Sequence, residues 1–524
     1  MGHLSKSLSE CLRGIAGAIT SFSSSILDHV TLKLLRGDDD SDNGNDDLDS
    51  LDIDPFEAVL ERVKVKHIGK YVAGIRVKTQ SSNKKKIPVV EVGSPSCNGE
   101  HMCYRVKFAD GVSWLLKVPA IGTPDQFGEG DAENLRSEFL TMRMLRRETT
   151  IPIPEVFSYD NTCKNKLKVP FILMEFIDGR PLDEVWHDRE SPKEVVQARR
   201  TRCLQDIAAA YVQLGKYTFK KSGPLRFDDK DCPIGVVPVN RDPFSGLREG
   251  YTSSLDRWGE QDSEYKRGAV KLLRMFIDWT PKPSGEESFV LSHPNPNIFN
   301  FLVAEDGSVR GILDWHRTFA DSPSVGNETY PLWLMRDWAP GLYIWSEEME
   351  QGIHDERYVW EDSPDTRKFY RNVYAQCIAN LLPESENAKV TRNSILFRHL
   401  EMAVGDSIFG FGFADQILRE VVKRMKNVDD TCQSASCNTP KNNENDNDSQ
   451  DDSTTKEKDA TCNQNSPNES EVKPEHGGIE ADNGGEDEDD FFDVDEFLEN
   501  LDRNGLCEHR QRLFKAGFEA LFTR

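Results

Sequence analysis

Leu291-Ser-His-Pro-Asn-Pro-Asn-Ile-Phe-Asn300, followed after a short gap by Gly311-Ile-Leu-Asp-Trp315, is the stretch on which the fold of this 524-residue chain turns. Between the two ends lie Phe301-Leu-Val-Ala304, a turn Glu305-Asp-Gly-Ser308, and Val309-Arg-Gly-Ile-Leu313. Two short apolar runs around a loop containing Asp-Gly spell a β-hairpin. If Ala304 faces Val309, then Asn300 faces Leu313, and Asp314 lies diagonally beside Asn300 at the open end. An amide oxygen and a carboxylate brought together there suit a hard cation such as Mg2+, which keeps waters and takes few protein ligands. Taken alone, the same residues also fit a surface hairpin whose Asn and Asp cap turns.

Elements upstream narrow the choice. Cys103-Tyr-Arg-Val-Lys-Phe-Ala109 and Val112-Ser-Trp-Leu-Leu-Lys-Val118 are strand-like runs joined by Asp110-Gly111, a turn that needs positive φ. On the second run Ser113, Leu115 and Lys117 share one face, while Val112, Trp114, Leu116 and Val118 share the other. Lys117 is thus the one charge inside a strand that otherwise looks buried. A helix is expected from Asp131 to Arg147, with a stripe Leu135, Glu138, Met142, Leu145 and Phe139 beside it. A carboxylate inside an apolar stripe needs a cation or hydrogen-bond donors, and Lys117 is the obvious candidate. The competing reading has Glu138 at the helix edge, reaching solvent. The helix stops at Thr149-Thr-Ile-Pro-Ile-Pro154, where two prolines force extended backbone. A further strand, Val169 to Met174, leads into Glu175-Phe-Ile-Asp-Gly-Arg-Pro-Leu182, which fits a hinge between two lobes or an ordinary strand and loop.

In order and placement these pieces resemble the aminoglycoside/choline phosphotransferase branch of the protein-kinase-like superfamily, in its large fungal group. The matching motifs are Trp114-Leu-Leu-Lys-Val-Pro119, Leu135-Arg-Ser-Glu-Phe-Leu-Thr-Met142, Thr150-Ile-Pro-Ile-Pro-Glu-Val156 and Ile172-Leu-Met-Glu-Phe-Ile-Asp-Gly179. Ser292-His-Pro-Asn-Pro-Asn-Ile-Phe-Asn300, Gly311-Ile-Leu-Asp-Trp315 and Gly326-Asn-Glu-Thr-Tyr-Pro-Leu-Trp333 complete the set, which covers about residues 85–425 with the last helix added. The resemblance implies an α+β, two-lobed kinase-like fold: a small antiparallel-sheet N-lobe with one helix, and a larger, mostly helical C-lobe. It implies ATP and Mg2+ as cofactors, with Lys117 at the α/β-phosphates and Glu138 holding it. Met174 would back the adenine pocket, and the backbone of Glu175 and Ile177 would hydrogen-bond the adenine edge. His293 would brace the catalytic loop, and Asn300 and Asp314 would bind the metal.

Two departures stand out. Where the family has a catalytic Asp, this chain has Asn295, and a carboxamide cannot take a proton from an acceptor hydroxyl. The phosphate-covering loop, expected between Val92 and Cys103, has no G-x-G-x-x-G. His316, where the fungal group often has an acidic residue, is a candidate substitute base; the plainer reading has its ring pointing elsewhere.

Charge is concentrated outside this region. The net charge is −25, yet residues 37–54 hold nine acids and no bases, and residues 441–500 hold twenty-one acids and four lysines. The remainder is about neutral, with no basic patch for nucleic acid, and the acidic blocks would repel phosphate backbones. The tract from Asp429 to Asp490 has almost no apolar residue and cannot form a core. After it, Leu513, Phe514, Gly517, Phe518, Leu521 and Phe522 form a helical face expected to dock on the larger lobe; a tethered partner-binding helix is the alternative. At the other end Leu4, Leu8, Cys11, Ile15, Ile19, Phe22 and Ile26 make an amphipathic stripe, read as a peripheral helix rather than a mitochondrial presequence because Arg is scarce and acids are present. No stretch approaches a transmembrane helix, and eleven scattered cysteines point to a reducing, cytoplasmic setting.

The expected organisation is therefore residues 1–54 as amphipathic helix and acidic disordered linker, 55–175 as N-lobe, 176–428 as C-lobe, 429–490 as acidic disordered insertion, and 491–524 as docking C-terminal helices. Two functions compete. One is ATP-dependent phosphoryl transfer to a hydroxylated small molecule, whose binding region would lie within residues 185–288; Asp228, Asp229 and Asp231 there could attract a cationic alcohol, although a solvated loop is the plainer reading of them. The other is a pseudokinase-like nucleotide-binding scaffold with protein partners at the acidic tract or terminal helices.

Overall fold

Two helices, α1 (Glu57–Arg62) and α2 (Val65–Thr79), lead into strands β1 (Val89–Val92), β2 (Ser96–Asn98), β3 (His101–Phe108) and β4 (Ser113–Pro119). Helix α3 (Glu129–Glu148) follows, then β5 (Val156–Asp160) and β6 (Phe171–Glu175). The strands form one antiparallel sheet in the order β1-β3-β4-β6-β5, with β2 also paired to β3. The β3–β4 turn is the expected one: Gly111 takes φ +88°, and Phe108 N–H donates to Val112 C=O at 2.8 Å. Arg76 of α2 grips the Asp110 carboxylate with both terminal nitrogens, at 3.0 and 2.7 Å, and lies over the Phe108 ring.

Both faces of β4 are covered. Trp114, Leu116 and Val118 join Tyr104, Val106 and Phe108 in a core closed by Val59, Ile68 and Val72 of α1 and α2. On the other face Leu115 packs with Leu135, Phe139, Leu145, Ile172 and Met174, the core that α3 seals. One helix was expected in this lobe, and α1 and α2 add two more. The reason is physical: a sheet apolar on both faces needs a cover on each, or it exposes a contiguous hydrophobic patch.

The larger lobe begins with β7 (Arg180–Pro181), α4 (Leu182–Trp186) and α5 (Lys193–Tyr211), followed by β8 (Thr218–Phe219), β9 (Gly223–Phe227) and β10 (Pro233–Val236). Helices α6 (Leu247–Asp256) and α7 (Glu264–Trp279) precede strands β11 (Phe289–Ser292), β12 (Phe301–Val303), β13 (Val309–Ile312) and β14 (Phe319–Asp321). Then come α8 (Glu347–Glu350), α9 (Pro364–Leu381), α10 (Asn387–Gly405), α11 (Gly410–Ser436), α12 (Val494–Asn504) and α13 (Glu508–Ala520). Two small antiparallel sheets, ordered β10-β9-β14-β11-β8 and β13-β12-β7, are set among the helices. Serines start two of those helices: Ser263 accepts from Lys266 N at 3.2 Å, and Ser363 accepts from Thr366 N at 3.3 Å.

The structure, a computed structural model, describes residues 56–79, 86–98, 100–236, 243–282, 285–339, 343–353, 360–382, 387–405, 410–436 and 492–522. The stripe from Leu4 to Ile26 and the acidic stretches at 37–54 and 441–490 lie outside the described residues. Residues 426–493 form a separate unit, of which the end of α11 and residues 492–493 are described. Helix α12 lies directly on α7: Asp502 receives Arg267 at 2.8 Å and Lys271 at 2.7 Å, and a Cβ on Gly268 would collide with the Leu498 carbonyl. In α13, Phe518 is fully buried and stacks on Phe276, with ring centroids 4.8 Å apart.

Candidate phosphoryl-transfer site

The β12–β13 hairpin sets the position of both ends of the opening stretch. Its register pairs Phe301 with Ile312 and Leu302 with Gly311, and Leu313 N–H donates to Asn300 C=O at 2.8 Å. Asn300 therefore faces Leu313, as expected. Nearer the turn the pairing slips by one residue, Val303 opposite Val309, because Gly307 at φ +82° donates back to Ala304 at 2.9 Å and forms a bulge.

Three of the expected side chains meet at the mouth. Lys117 Nζ of β4 donates to Glu138 Oε1 of α3 at 2.7 Å and to Asp314 Oδ1 at 2.9 Å. Glu138 is 3% exposed and Lys117 8%, which excludes the reading with Glu138 in solvent. Burial, the largest single influence, pushes the Glu138 carboxyl up, but the Lys117 ammonium together with the His316 and His101 rings outweighs it and holds the group at about 2. Burial likewise disfavours the charged Lys117, yet Asp314 and Glu138 together raise it above the ordinary lysine range. The same balance of burial against the Lys117 charge holds Asp314 below the usual carboxylate range. Asp314 sits at φ +59°, an uncommon conformation for a residue with a Cβ and one that clusters at functional sites.

A second knot holds the loop from His293 to Asn300. His293 Nε2 donates to Leu313 C=O at 2.8 Å, and its Nδ1 accepts from Asn295 N–H at 3.1 Å. Those partners put the proton on Nε2; burial pulls this imidazole down to about 4, so it stays neutral. Asn300 Nδ2 donates to Asn295 C=O at 2.9 Å, leaving the Asn300 amide oxygen for a cation. That oxygen and the Asp314 carboxylate are hard-oxygen groups of the kind Mg2+ takes. Leu332 N–H donates to Pro296 C=O at 3.1 Å, so the Gly326–Trp333 motif supports the loop from behind.

At the hinge, Met174 pairs with Leu115 and Ile172 with Lys117 across β4 and β6, so Met174 lies on the Lys117 face of the sheet. Glu175 N–H is engaged by Glu155 C=O at 2.7 Å, which leaves the carbonyl of Glu175 as its backbone group for a ligand edge. Ile177 packs over Gly311, where a Cβ would come within 2.8 Å of its Cδ1.

Three placements differ from expectation or were not foreseen. His316 does not face the catalytic loop: its Nδ1 lies 3.4 Å from Glu138 Oε2 and its Nε2 lies 3.6 Å from Glu100 Oε2. Asp231 is not a free acidic surface, since Arg136 and Arg143 of α3 take it at 2.9 and 3.0 Å, and Asp228 closes its own turn on Lys230 N and Cys232 N. Glu100 and His101, in the segment expected to cover phosphates, reach the site as well. Glu100 contacts Arg317 at 3.3 Å, and His101 meets the His316 ring edge-on at 5.0 Å. Burial, then the Lys117 charge, pulls the His101 imidazole well below its usual value. No local pattern in the sequence marks either residue; only the β2–β3 hairpin brings them in.

A Lys–Glu–Asp cluster thus lies between a six-stranded antiparallel sheet and an Asn–Asp hairpin, in the mixed α/β layout of kinase-like folds. The phosphotransferase enzyme family (APH) model matches residues 103–325. Among curated relatives, altered inheritance of mitochondria protein 9, mitochondrial, from Candida dubliniensis is 28% identical over 198 residues, covering 38% of this chain and 31% of that protein. The protein of the same name from Candida albicans is 27% identical over 211 residues, covering 40% and 33%. The chain thus spans about a third of the length of the curated relatives it matches. Among solved structures, aminoglycoside phosphotransferase APH(4)-Ia aligns at 17% identity and a TM-score of 0.39, covering 68% of this chain and 99% of that one. Macrolide 2'-phosphotransferase MphH from Brachybacterium faecium aligns at 14% identity and 0.38, covering 67% and 97%. Among the described residues no helix is long and apolar enough to cross a membrane.

Proposed function

We propose that this chain binds Mg·ATP between its lobes and transfers the γ-phosphoryl group to a hydroxyl of a small molecule, at a rate lowered by Asn295. The observation that carries the reading is the Lys117 ammonium, buried and held at 2.7 Å from Glu138 and 2.9 Å from Asp314. A permanently charged, oriented cation is what nucleotide phosphates require at that point of a kinase-like fold. Lys117 would grip the α/β-phosphates and Glu138 would keep it aimed. Met174 would back the adenine, and the Glu175 carbonyl with the Ile177 backbone would meet its edge. Asn300 and Asp314 would hold Mg2+, which supplies charge neutralisation at the phosphate oxygens. His293 would brace the loop that presents Asn295 to the acceptor hydroxyl. The lobes would be residues 55–175 and 176–428, with 491–524 closing the larger one.

A second reading, a nucleotide-binding scaffold without turnover, is favoured by one observation. The carboxamide of Asn295 stands where a base is needed, and the imidazole of His316 is turned to Glu138 and Glu100 instead. Protein partners would then engage the acidic tract. In location, the composition favours the cytoplasm and the names of the Candida relatives favour mitochondria; cell fractionation decides between them.

The test is thermal unfolding with Mg·ATP. Binding to the folded state alone stabilises by ~2.7 kcal/mol at a hundredfold excess over Kd. The melting temperature should rise for wild type and not for Lys117→Ala or Asp314→Ala. A wild-type chain unmoved by millimolar Mg·ATP sinks both readings. ATP binding with no phosphorylated product, across a screen of amino-sugar and choline-like alcohols, leaves the scaffold.

A further inference from the structure

Beside the phosphate-gripping cluster lies a set of ligating side chains that phosphoryl transfer does not call for. His101 opens β3, Glu138 sits in the middle of α3, and His316 follows Asp314 in the larger lobe. One nitrogen or oxygen from each lies within 4.8 Å of the other two. His101 and Glu138 are 6% and 3% exposed. His316 Nδ1 is buried and has no hydrogen-bond partner of good geometry, although it lies 3.4 Å from Glu138 Oε2.

The second ring nitrogen explains why that contact matters. His316 Nε2 faces the Glu100 carboxylate at 3.6 Å. With the ring proton directed there, Nδ1 presents a lone pair to a carboxylate oxygen, and two acceptors confront each other away from water. A cation between them removes that conflict. The 3.4 Å separation matches the edge of a tetrahedron with metal–ligand bonds of ~2.0–2.1 Å, roughly 3.3–3.4 Å. An imidazole that ligates through one nitrogen and gives its other N–H to a carboxylate is the usual arrangement of a metal-bound histidine. Glu138 can serve through Oε2 while Oε1 keeps Lys117 at 2.7 Å.

We propose that His101, Glu138 and His316 bind a first-row transition-metal ion of the zinc class, with a water completing a tetrahedral set. Two imidazoles and one carboxylate favour such an ion over Mg2+ or Ca2+, which prefer all-oxygen sets. The site is separate in chemistry from the Asn300–Asp314 oxygen pair. Its ligands come from both lobes, His101 and Glu138 from the smaller and His316 from the larger, so the ion clamps the lobes together around the Lys117–Asp314 contact.

The full chain, stripped with a chelator, is titrated with Zn2+ by calorimetry and with Co2+ by visible absorption. Thiols elsewhere also bind zinc, so the comparison is with His316→Gln and His101→Gln, each checked by circular dichroism for an unchanged fold. Wild type should take up one more Zn2+ than either variant, and that site should resist millimolar Mg2+. The Co2+ form should show the intense d–d bands of a tetrahedral site, lost in both variants. Zinc uptake that is equal in wild type and both variants overturns the proposal. Neither readout requires ATP, so failure here and failure of the phosphotransferase reading are distinguishable.

Discussion

On the proposed reading, Asn295→Asp places a carboxylate where an acceptor hydroxyl would lose its proton, and the structure lets the size of the effect be bounded. The loop around residue 295 is held by backbone groups: its N–H donates to His293 Nδ1 at 3.1 Å, and its C=O accepts from Asn300 Nδ2 at 2.9 Å. Neither bond involves the side chain being changed, so the substitution alters the chemistry at one terminal atom and leaves the loop in place. A positioned general base contributes ~10²–10⁴-fold, which is about 2.7–5.5 kcal/mol off the barrier. The upper end is reached only if the new carboxylate stays ionised beside the Asp314 charge, which a cation at Asn300 and Asp314 would favour. The assay is ADP release in Mg·ATP, with and without an acceptor panel, alongside calorimetric ATP affinity. Turnover should rise within that range, while affinity changes by much less. ATP bound as before with no gain in rate would refute the reasoning, because the missing base would then not be what limits the site. A fall from a measurable wild-type rate would refute it differently, by showing that Asn295 is suited to its own chemistry.

Two further substitutions probe the fold that carries the site. Glu328, in the motif behind the catalytic loop, is 9% exposed with Oε2 lacking a hydrogen-bond partner, and burial pushes its carboxyl up to about 7 from an ordinary 4.5. A folded-state pKa above the unfolded one means the native state holds the proton longer, so wild type loses stability as pH rises from about 4.5 to about 7, by up to roughly 3 kcal/mol. Glu328→Gln should flatten that slope in urea unfolding at pH 5 and pH 8, and parallel curves for the two proteins would count against it. Gly268→Ala places a methyl against the Leu498 carbonyl and should destabilise by about 1–3 kcal/mol through overpacking, although alanine favours a helix by ~1 kcal/mol. An increase in stability would mean that α12 is not seated on α7 in solution.

Much of this site is legible because its residues violate local pattern. Lys117 is a charge in an apolar strand, and Glu138 a carboxylate in an apolar stripe; each anomaly requires the other, and the 2.7 Å contact joins them. The Asn300–Leu313 pairing follows from hairpin counting alone, and the slip at Val303 stays confined to the turn side. The stripe Phe514, Gly517, Phe518 likewise announces a buried helix. By contrast α1 and α2 are lost in a polar, lysine-rich stretch, and the only hint of them is indirect: Trp114, Leu116 and Val118 need a cover that α3, on the opposite face, cannot provide. His101 and Glu100 carry no periodic signal, since their role comes from where a hairpin turn points. Asp231 is hard to read for the same reason, because its arginine partners are 95 and 88 residues away in sequence.

On the proposed reading, Asp314 shows why nucleotide handling and proton removal would be separable. Holding a residue with a Cβ at φ +59° costs on the order of 1–3 kcal/mol, and such a conformation persists only where its neighbours over-determine it. They do: Leu313 is fixed by its C=O to His293 at 2.8 Å and by its N–H to Asn300 at 2.8 Å. Trp315 is fully buried and donates from Nε1 to Ile312 C=O at 2.9 Å. The carboxylate is thus aimed at Lys117 by contacts on both sides, none of which depends on the side chain at 295. Loss of the base leaves this arrangement intact, whereas loss of His293 or Trp315 would release Asp314 from its strained position. The proposed cation-binding half of the site would therefore be built into the packing of the larger lobe, and only the proposed proton-accepting half would rest on a single replaceable atom.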